Sequence, residues 1–502
     1  MRALICALAL CAHALSLAGC ASPPAFDPAT PLVLTGEITR ADHQTYREIP
    51  FTVPAGVKQI TVDFAYTGKE QKTVIDLGLR DPQGQRGWSG GNKTRFVVGE
   101  TRATPSYRPA PIQPGDWKLV LGIPNIRDGQ TASWTATINF AASEGSKDEP
   151  APAYRPVVLS TIAGWRRGDF HTHTAHSDGS CEDGGARGPC PPGHTFSAAR
   201  DAGLDFVAIT DHNTITQIAD IARLQAQYPK TLLIPGTEVT TFSGHMNAVG
   251  LSNFVDFQIG SPRLPDFRKL FEEAAAQGAL ISVNHPSLPS GEVCMGCGWT
   301  AKDTDWSHVS AIEVVNGSTL RTSGAESGLS GIALWDKLLK QGYRITAIGG
   351  SDNHDATDVT GAKQSPIGKP ATVVFAKDLS VSSIVAGVRS GRVFVDVAGL
   401  PDATLDMTAS AGKQAVAMGG ELKLKRGEQA RLDVMTANLP AGVQIEMVAH
   451  GLDIEQLNGG AAYHLTLSGP EGAGWARLNA RDAAGKLLLL GNPIYFVRVD
   501  GT

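Results

Sequence analysis

Gly203-Leu204-Asp205-Phe206-Val207-Ala208-Ile209-Thr210-Asp211-His212 is an apolar run of strand length that stops on an acid and an imidazole. The same punctuation recurs along the middle of the chain. Gly168-Asp169-Phe170 leads into His171-Thr172-His173, with Asp178 close behind in Ser177-Asp178-Gly179. Leu232–Pro235 leads to Gly236-Thr237-Glu238 and then Gly244-His245. Leu280–Val283 stops on Asn284-His285, and Ile345–Ile348 stops on Gly349-Gly350-Ser351-Asp352-Asn353-His354. Between these runs lie stretches of helical period, expected at about 195–203, 216–228, 265–278, 330–342 and 380–390. In the third, Phe267, Leu270, Phe271 and Ala274 share one face by i, i+3, i+4, i+7 spacing. Short β runs alternating with helices predict a parallel α/β sheet or barrel.

In such a fold the C-terminal strand ends converge on one face, where sites form. His171 and His173 lie two apart, so on extended backbone both imidazoles point the same way. Six His (171, 173, 212, 245, 285, 354) and three carboxylates (Asp178, Glu238, Asp352) are thereby expected to meet. Neutral imidazole with carboxylate is a ligand set of Zn, Mn and Fe. The histidine count agrees: nine of 13 fall between residues 171 and 354.

Flanking this region the period changes to two. Ile60, Val62, Phe64 and Tyr66 alternate, as do Trp117, Leu119 and Leu121, and Trp134, Ala136, Ile138 and Phe140. Turn signals such as Asp81-Pro82-Gln83-Gly84 separate them, so residues 31–142 predict a β-sandwich. Residues 143–158 read as a linker, 159–399 as the α/β domain, and 400–502 as a second β-sandwich. A length of 502 residues fits about three domains. A net charge of −5 supplies no sequence-wide basic field, so no nucleic-acid partner is expected.

The strand-end motifs together resemble the polymerase-and-histidinol-phosphatase (PHP) superfamily of metal-dependent phosphoesterases. The residues that carry the resemblance are Asp169–Thr174, Ser177–Gly179, Gly203–His212, Gly236–Glu238, Asn284–Pro286 and Ser351–His354. The flanking sandwiches and an exported setting look like the branch that includes carbaryl hydrolase. The resemblance implies a distorted (β/α)7 barrel holding up to three divalent ions. By motif, the first would take His171, His173, Glu238 and Asp352; the second Glu238, His245 and His285; the third Asp178, His212 and His354. It implies hydrolysis by a bridging water, with Glu238 in the catalytic set, on a small anionic substrate, most simply a phosphoester.

Other residues are open to two readings. His176 and His194 are candidate general acids, or surface side chains. Asp211 could orient a ligand imidazole or cap a turn. Asn316 could face the site from a strand end or serve a turn. Arg321 and Lys369 read as solvated loop charge before anion clamps, and Glu313, inside a strand, as structural. Trp117 and Trp134 read as core more readily than as a carbohydrate platform with Trp88.

The first residues read as an address. Arg2 precedes an apolar run from Ala3 to Leu17, too short to span a bilayer. Leu17-Ala18-Gly19-Cys20 resembles the lipobox of bacterial lipoproteins. That implies a signal peptide over 1–19, a lipid on Cys20 that anchors the chain to a membrane, and a tether over 20–30. Ala21 after the cysteine points to the periplasmic face of the outer membrane. Export leaves Cys181, Cys190, Cys294 and Cys297, which in an oxidising compartment read as two disulfides. Local pairing is expected, although four cysteines allow three pairings; a zinc knot or a redox Cys294-x-x-Cys297 is the alternative.

Three functions remain open on the sequence. The leading one is a phosphoesterase. The others are a metal-dependent hydrolase of carbamates, esters or amides, and a surface binding protein with a vestigial site.

Overall fold

The computed structural model describes residues 30–145, 149–457, 459, 461–468 and 472–499. The expected signal, the tether up to residue 29 and Cys20 lie outside the described residues. The chain is a strand-rich α/β protein.

The N-terminal alternation folds as expected. One four-stranded sheet takes Leu32–Thr39, Thr131–Ala141, Gln59–Tyr66 and Arg95–Gly99 in that order; a second takes Thr45–Val53, Gly115–Asn125, Val74–Asp81 and Gly84–Gly90. Their inner faces share one core containing Ile60, Val62, Phe64, Trp117, Leu119, Trp134 and Ile138. Trp117 and Trp134 are therefore core residues. Arg86 is buried in this sandwich. It is paired with Asp81 at 3.0 Å and donates to the Gly99, Ala110 and Pro111 carbonyls, so its charge is met on several sides.

In the middle of the chain, Gly164–Asp169, Phe206–Ile209 and Leu232–Thr241 run parallel, as do Leu280–Val283, Ala311–Asn316 and Thr346–Gly350. Gly244–Val249 pairs antiparallel with both Leu232–Thr241 and Leu280–Val283, and so joins the two parallel trios. Strict β/α alternation therefore fails here. The tight turn after Thr241 sends the chain straight back as a hairpin, with no room for a crossover helix. Just past the strand ends, a single parallel bridge between Thr172 and Asn353 brings the outermost strands of the seven together.

Six α-helices are described: α1 Pro192–Asp201, α2 Ile218–Leu224, α3 Phe267–Ala276, α4 Gly317–Thr322, α5 Ile332–Lys340 and α6 Val381–Arg389. Five lie where helical period predicts them, and α4 is an addition. α3 begins at Asp266, whose side chain accepts from the Lys269 N–H at 2.8 Å. It buries Phe267, Leu270, Phe271 and Ala274, the face the spacing marks out.

Ala371–Ala376, within the stretch read as parallel α/β, instead runs antiparallel to Gly164–Asp169, and pairs on its other side with Val393–Asp396. Hydrogen bonding then crosses residue 400: Val393–Asp396 pairs with Leu487–Gly491, which leads on to Ala473–Arg481, Ile494–Arg498 and Glu421–Leu424. A separate five-stranded sheet, with Thr404–Ala411 and Gln429–Ala437 at its centre, covers this extension. The core between them includes Phe394, Leu405, Leu432, Leu478 and Phe496. The C-terminal sandwich thus shares a sheet with the site-bearing strands.

Candidate metal centre

The strand ends deliver their polar residues to one place. Glu238, fully buried on the Leu232–Thr241 strand, stands in the middle. One carboxylate oxygen, Oε2, lies 3.3 Å from His171 Nε2, 3.5 Å from His173 Nε2 and 3.0 Å from His212 Nδ1. The other, Oε1, lies 3.4 Å from His245 Nδ1 and 3.2 Å from His285 Nε2. Asp352 Oδ1 lies 3.3 Å from His171 Nε2 and 3.2 Å from His173 Nε2. Asp178 Oδ1 lies 3.5 Å from His212 Nε2 and 3.3 Å from His354 Nε2. All nine candidate ligands are therefore within one cluster.

They fall into four overlapping groups whose ligand atoms lie within 4.8 Å of one another: His173, Asp178, His212 and His354; His171, His173 and Glu238; His171, His285 and Asp352; and Glu238, His245 and His285. The overlap differs from the motif assignment in two respects: His173 also reaches the Asp178 group, and His285 also joins His171 and Asp352.

Outer partners orient the rings. His171 Nδ1 meets Glu313 Oε1 at 3.1 Å, His285 Nδ1 meets the Cys297 carbonyl at 2.8 Å, and His354 Nδ1 meets the Asp352 carbonyl at 2.9 Å. His245 Nε2 meets the Met295 carbonyl at 3.2 Å, His212 Nδ1 meets Thr240 Oγ1 at 2.7 Å, and Ser177 Oγ is 3.4 Å from His173 Nδ1. The carbonyl and carboxylate partners only accept, so in those four rings the outer nitrogen carries a proton and the inner nitrogen is the atom that faces the centre. His171 Nε2, His245 Nδ1, Glu238 Oε2 and Asp178 Oδ1 are buried with no hydrogen-bond partner. Orphaned atoms of a ligand-type set, converging on one another, fit divalent cations.

The charges say the same. Burial opposes it, yet the Asp352, Glu238 and Glu313 carboxylates hold His171 well above the ordinary imidazole range. Against the same burial, Asp178 and Glu238 raise His212, and Asp178 lifts His354 to about 9. His173 goes the other way, to about 4, through burial and repulsion from His354 and His212. Protons here stand in for the positive charge that the carboxylates demand.

Local backbone pays for this convergence. His285 and Asp352 adopt φ of 26° and 54°, conformations that L residues rarely keep outside functional sites. Gly350 is needed for packing: a Cβ there would come within 2.6 Å of His171 Cβ and 2.5 Å of Glu313 Oε1.

The remaining sequence candidates separate. Asn316 Nδ2 donates to Asp352 Oδ2 at 3.2 Å while its Oδ1 caps α4, so both readings hold at once. Asp211 accepts from the Thr174 N–H and hydroxyl and from Ser177 Oγ, so it fixes the loop carrying Asp178 and bonds no ligand imidazole directly. His176 turns away from the centre, held by Thr216 Oγ1 at 2.6 Å and Asp220 Oδ2 at 2.8 Å. His194, on α1, faces Asp183 at 3.3 Å. Neither lines the cavity at the centre, so neither is placed to donate a proton there. Arg321 and Lys369 are exposed and also lie off it.

Three contributions escaped the sequence reading. Glu313 accepts from His171 Nδ1, the His285 N–H at 2.8 Å and Asn316 Nδ2 at 3.2 Å; a lone acid inside an apolar strand was its only signal. Asn284 Nδ2 donates to Glu238 Oε1 at 2.9 Å. Lys93, from the N-terminal sandwich, donates to the Ala175 and Ser177 carbonyls at 3.2 and 3.1 Å and so grips the Asp178 loop. Gly87-Trp88-Ser89-Gly90-Gly91 spells a Gly-x-Ser-x-Gly pattern, but Ser89 lies in a strand, its hydroxyl bonded to Tyr107 at 3.0 Å. It has no histidine partner and is no nucleophile elbow.

The centre opens into a cavity of about 340 Å³. The N-terminal sandwich forms part of its wall, with Tyr46, Asp76 and Trp88; the Cys294–Cys297 loop forms another part. Cys181 pairs with Cys190 and Cys294 with Cys297, with Cα separations of 4.9 and 5.5 Å. Both are the local pairings. Arg127 of the sandwich holds Glu292 of the second loop by two bonds of 2.6 Å.

No family profile matches the chain. An uncharacterized protein (MJ1587) of Methanocaldococcus jannaschii is 30% identical over 125 residues, 25% of this chain. The matched region spans 66% of that relative's length. Among solved structures, a two-domain protein from Bacteroides vulgatus, described as containing a predicted PHP-like metal-dependent phosphoesterase, is similar over 68% of this chain and 100% of its own, at 20% identity and a TM-score of 0.39. An inferred metal-dependent phosphoesterase from Bifidobacterium adolescentis is similar over 40% of this chain and 92% of its own, at 16% identity and a TM-score of 0.27. At these scores the likeness is distant.

Proposed function

We propose that the chain is a metal-dependent phosphoesterase of the PHP superfamily, its seven strands from 164 to 350 a distorted barrel closed by the Thr172–Asn353 bridge. One observation carries the reading. Six imidazoles and three carboxylates converge in one cluster, seven of the nine lining one cavity, and outer partners turn a ring nitrogen of each imidazole toward the centre. His171, His173, Glu238 and Asp352 would hold one ion, Glu238, His245 and His285 a second, and Asp178, His212 and His354 a third, as Zn, Mn or Fe. When bound, such ions supply Lewis acidity and lower the pKa of water in their coordination sphere. Three divalent ions against three carboxylates leave a surplus of positive charge, which favours an anionic phosphoester.

The chain's own residues do the positioning. Glu238 reaches two groups at once because Asn284 fixes its Oε1 side. Glu313 keeps the His171 proton on Nδ1, and Asn316 holds Asp352 from behind. The lipobox-like start supports export and anchoring through Cys20 on the periplasmic face of the outer membrane.

The test is a panel of aryl phosphates, phosphodiesters and N-methylcarbamates, with metal content measured on the same sample. Phosphoester turnover abolished by His171→Ala is expected. A carbamate preference of about a thousandfold, ~4 kcal/mol in transition-state binding, would replace this reading by a carbonyl hydrolase. Protein that binds no transition metal and is unaffected by the substitution would reject an enzyme altogether.

A further inference from the structure

The cavity has a second pole, opposite in character to the metal centre. Among the described residues no Lys or Arg lines it. Apart from candidate ligands, its charged side chains are Asp76 and Glu292, and Arg127 already neutralises Glu292. Among the described residues, the Asp76 carboxylate has no ion-pair or hydrogen-bond partner. It stands on the Val74–Asp81 strand of the N-terminal sandwich, beside Trp88. Three glycines leave the space between them. A Cβ at Gly90 would lie 3.9 Å from both Asp76 Oδ1 and Trp88 Nε1, one at Gly91 3.3 Å from Asp76 Oδ1, and one at Gly122 2.8 Å from Trp88 Cη2. Tyr46 completes the wall. It stacks on Phe242 with centroids 4.7 Å apart and meets Trp88 edge-on at 6.1 Å.

A partly buried carboxylate without a counter-charge is costly, and the aromatic rings that line the cavity beside it offer an apolar wall suited to an alkylammonium. We propose that this wall is a cation subsite, which takes an organic ammonium group on the leaving-group side of the substrate while the anionic end lies at the metal centre. The substrate class is then a phosphoester of a compact trimethylammonium alcohol. The identity of the ester rests on the phosphoesterase reading; the cation subsite does not. Burial pushes the Asp76 carboxyl up to about 7, with His212 offsetting this only in part, as expected of a group that lacks a partner. An ammonium bound beside it would supply that partner.

Choline and its uncharged isostere 3,3-dimethylbutan-1-ol provide the test, titrated calorimetrically into the metal-loaded full chain. Choline should bind at least about tenfold tighter than the isostere. Asp76→Asn should bring the two within about threefold, with metal content unchanged. Tyr46→Leu should also weaken choline, which guards against a defect peculiar to the first variant. Equal binding of the two ligands to the wild type, or choline binding unaffected by Asp76→Asn, overturns the proposal. The same samples are then given choline phosphate and 3,3-dimethylbutyl phosphate. Selective choline binding without turnover of either ester supports the subsite and counts against the phosphoesterase reading alone.

Discussion

Replacing Glu313 by Gln would alter the centre without touching a candidate ligand. The carboxylate lies under the cluster and takes three donors: His171 Nδ1 at 3.1 Å, the His285 N–H at 2.8 Å and Asn316 Nδ2 at 3.2 Å. Gln keeps the volume and removes the charge. A hydrogen bond to a charged group is worth ~1.5–3 kcal/mol and a neutral one about 1, so the His171 contact weakens by ~1–2 kcal/mol. The His171 ring also becomes less basic at Nε2, the atom facing Glu238 and Asp352. Metal affinity should fall about 10- to 30-fold, within the range seen when outer partners of ligand imidazoles are lost. The assay is competition with a chromogenic chelator, alongside thermal unfolding of metal-free protein. Metal affinity within twofold of wild type, with a lowered Tm, would show that Glu313 only braces the strand and would refute the reasoning.

Three further predictions are independent of substrate. The Asp76 carboxyl lies at about 7 when folded and near 3.8 when free, so the fold gains stability at low pH and gives it up as pH rises from about 4 to 7. At ~1.4 kcal/mol per pH unit a dry site would lose ~4 kcal/mol; partial exposure to the cavity brings this to ~2. Metal-free Asp76→Asn should therefore exceed wild type in urea unfolding at pH 8 and match it near pH 4; the opposite order would contradict the sign. Arg86→Ala leaves the Asp81 carboxylate with only Arg108 at 3.8 Å and the Gln83 N–H, and should cost ~2–3 kcal/mol, read as a lower urea midpoint. Alkylation of native, unreduced, exported protein should leave Cys181, Cys190, Cys294 and Cys297 unlabelled in peptide mass spectra; labelling of all four would refute the pairing.

Strands and site were legible to different depths in the sequence. Phe206–Ile209 and Leu280–Val283 are short apolar runs closed by polar residues, a pattern with few other meanings, and they fold as read. Gly244–Val249 was invisible as a strand because His245 and Asn247 break its apolar pattern, and both face the centre. The candidate ligand set was legible because metal sites need particular side chains at strand ends. What orients those side chains was not. Cys297 and Met295 act through backbone carbonyls, which carry no residue identity. Lys93 acts from over 80 residues away in another domain. His176 and His194 misled because a histidine near a cluster in sequence can still turn its back on it, as His176 does toward Asp220.

The sheet that runs unbroken across residue 400 has a mechanical meaning. The C-terminal sandwich is bonded through main-chain ladders to the strands that carry the candidate ligands, so displacing it from them would break ladder hydrogen bonds. The N-terminal sandwich meets the centre through side chains: Lys93 on the Asp178 loop, Arg127 on Glu292, Tyr46 on Phe242. One side of the molecule is a chassis and the other a fitted cover. Any widening of the cavity to admit or release a bulky molecule must be taken up at the cover, by breaking contacts that re-form without cost to the ladder.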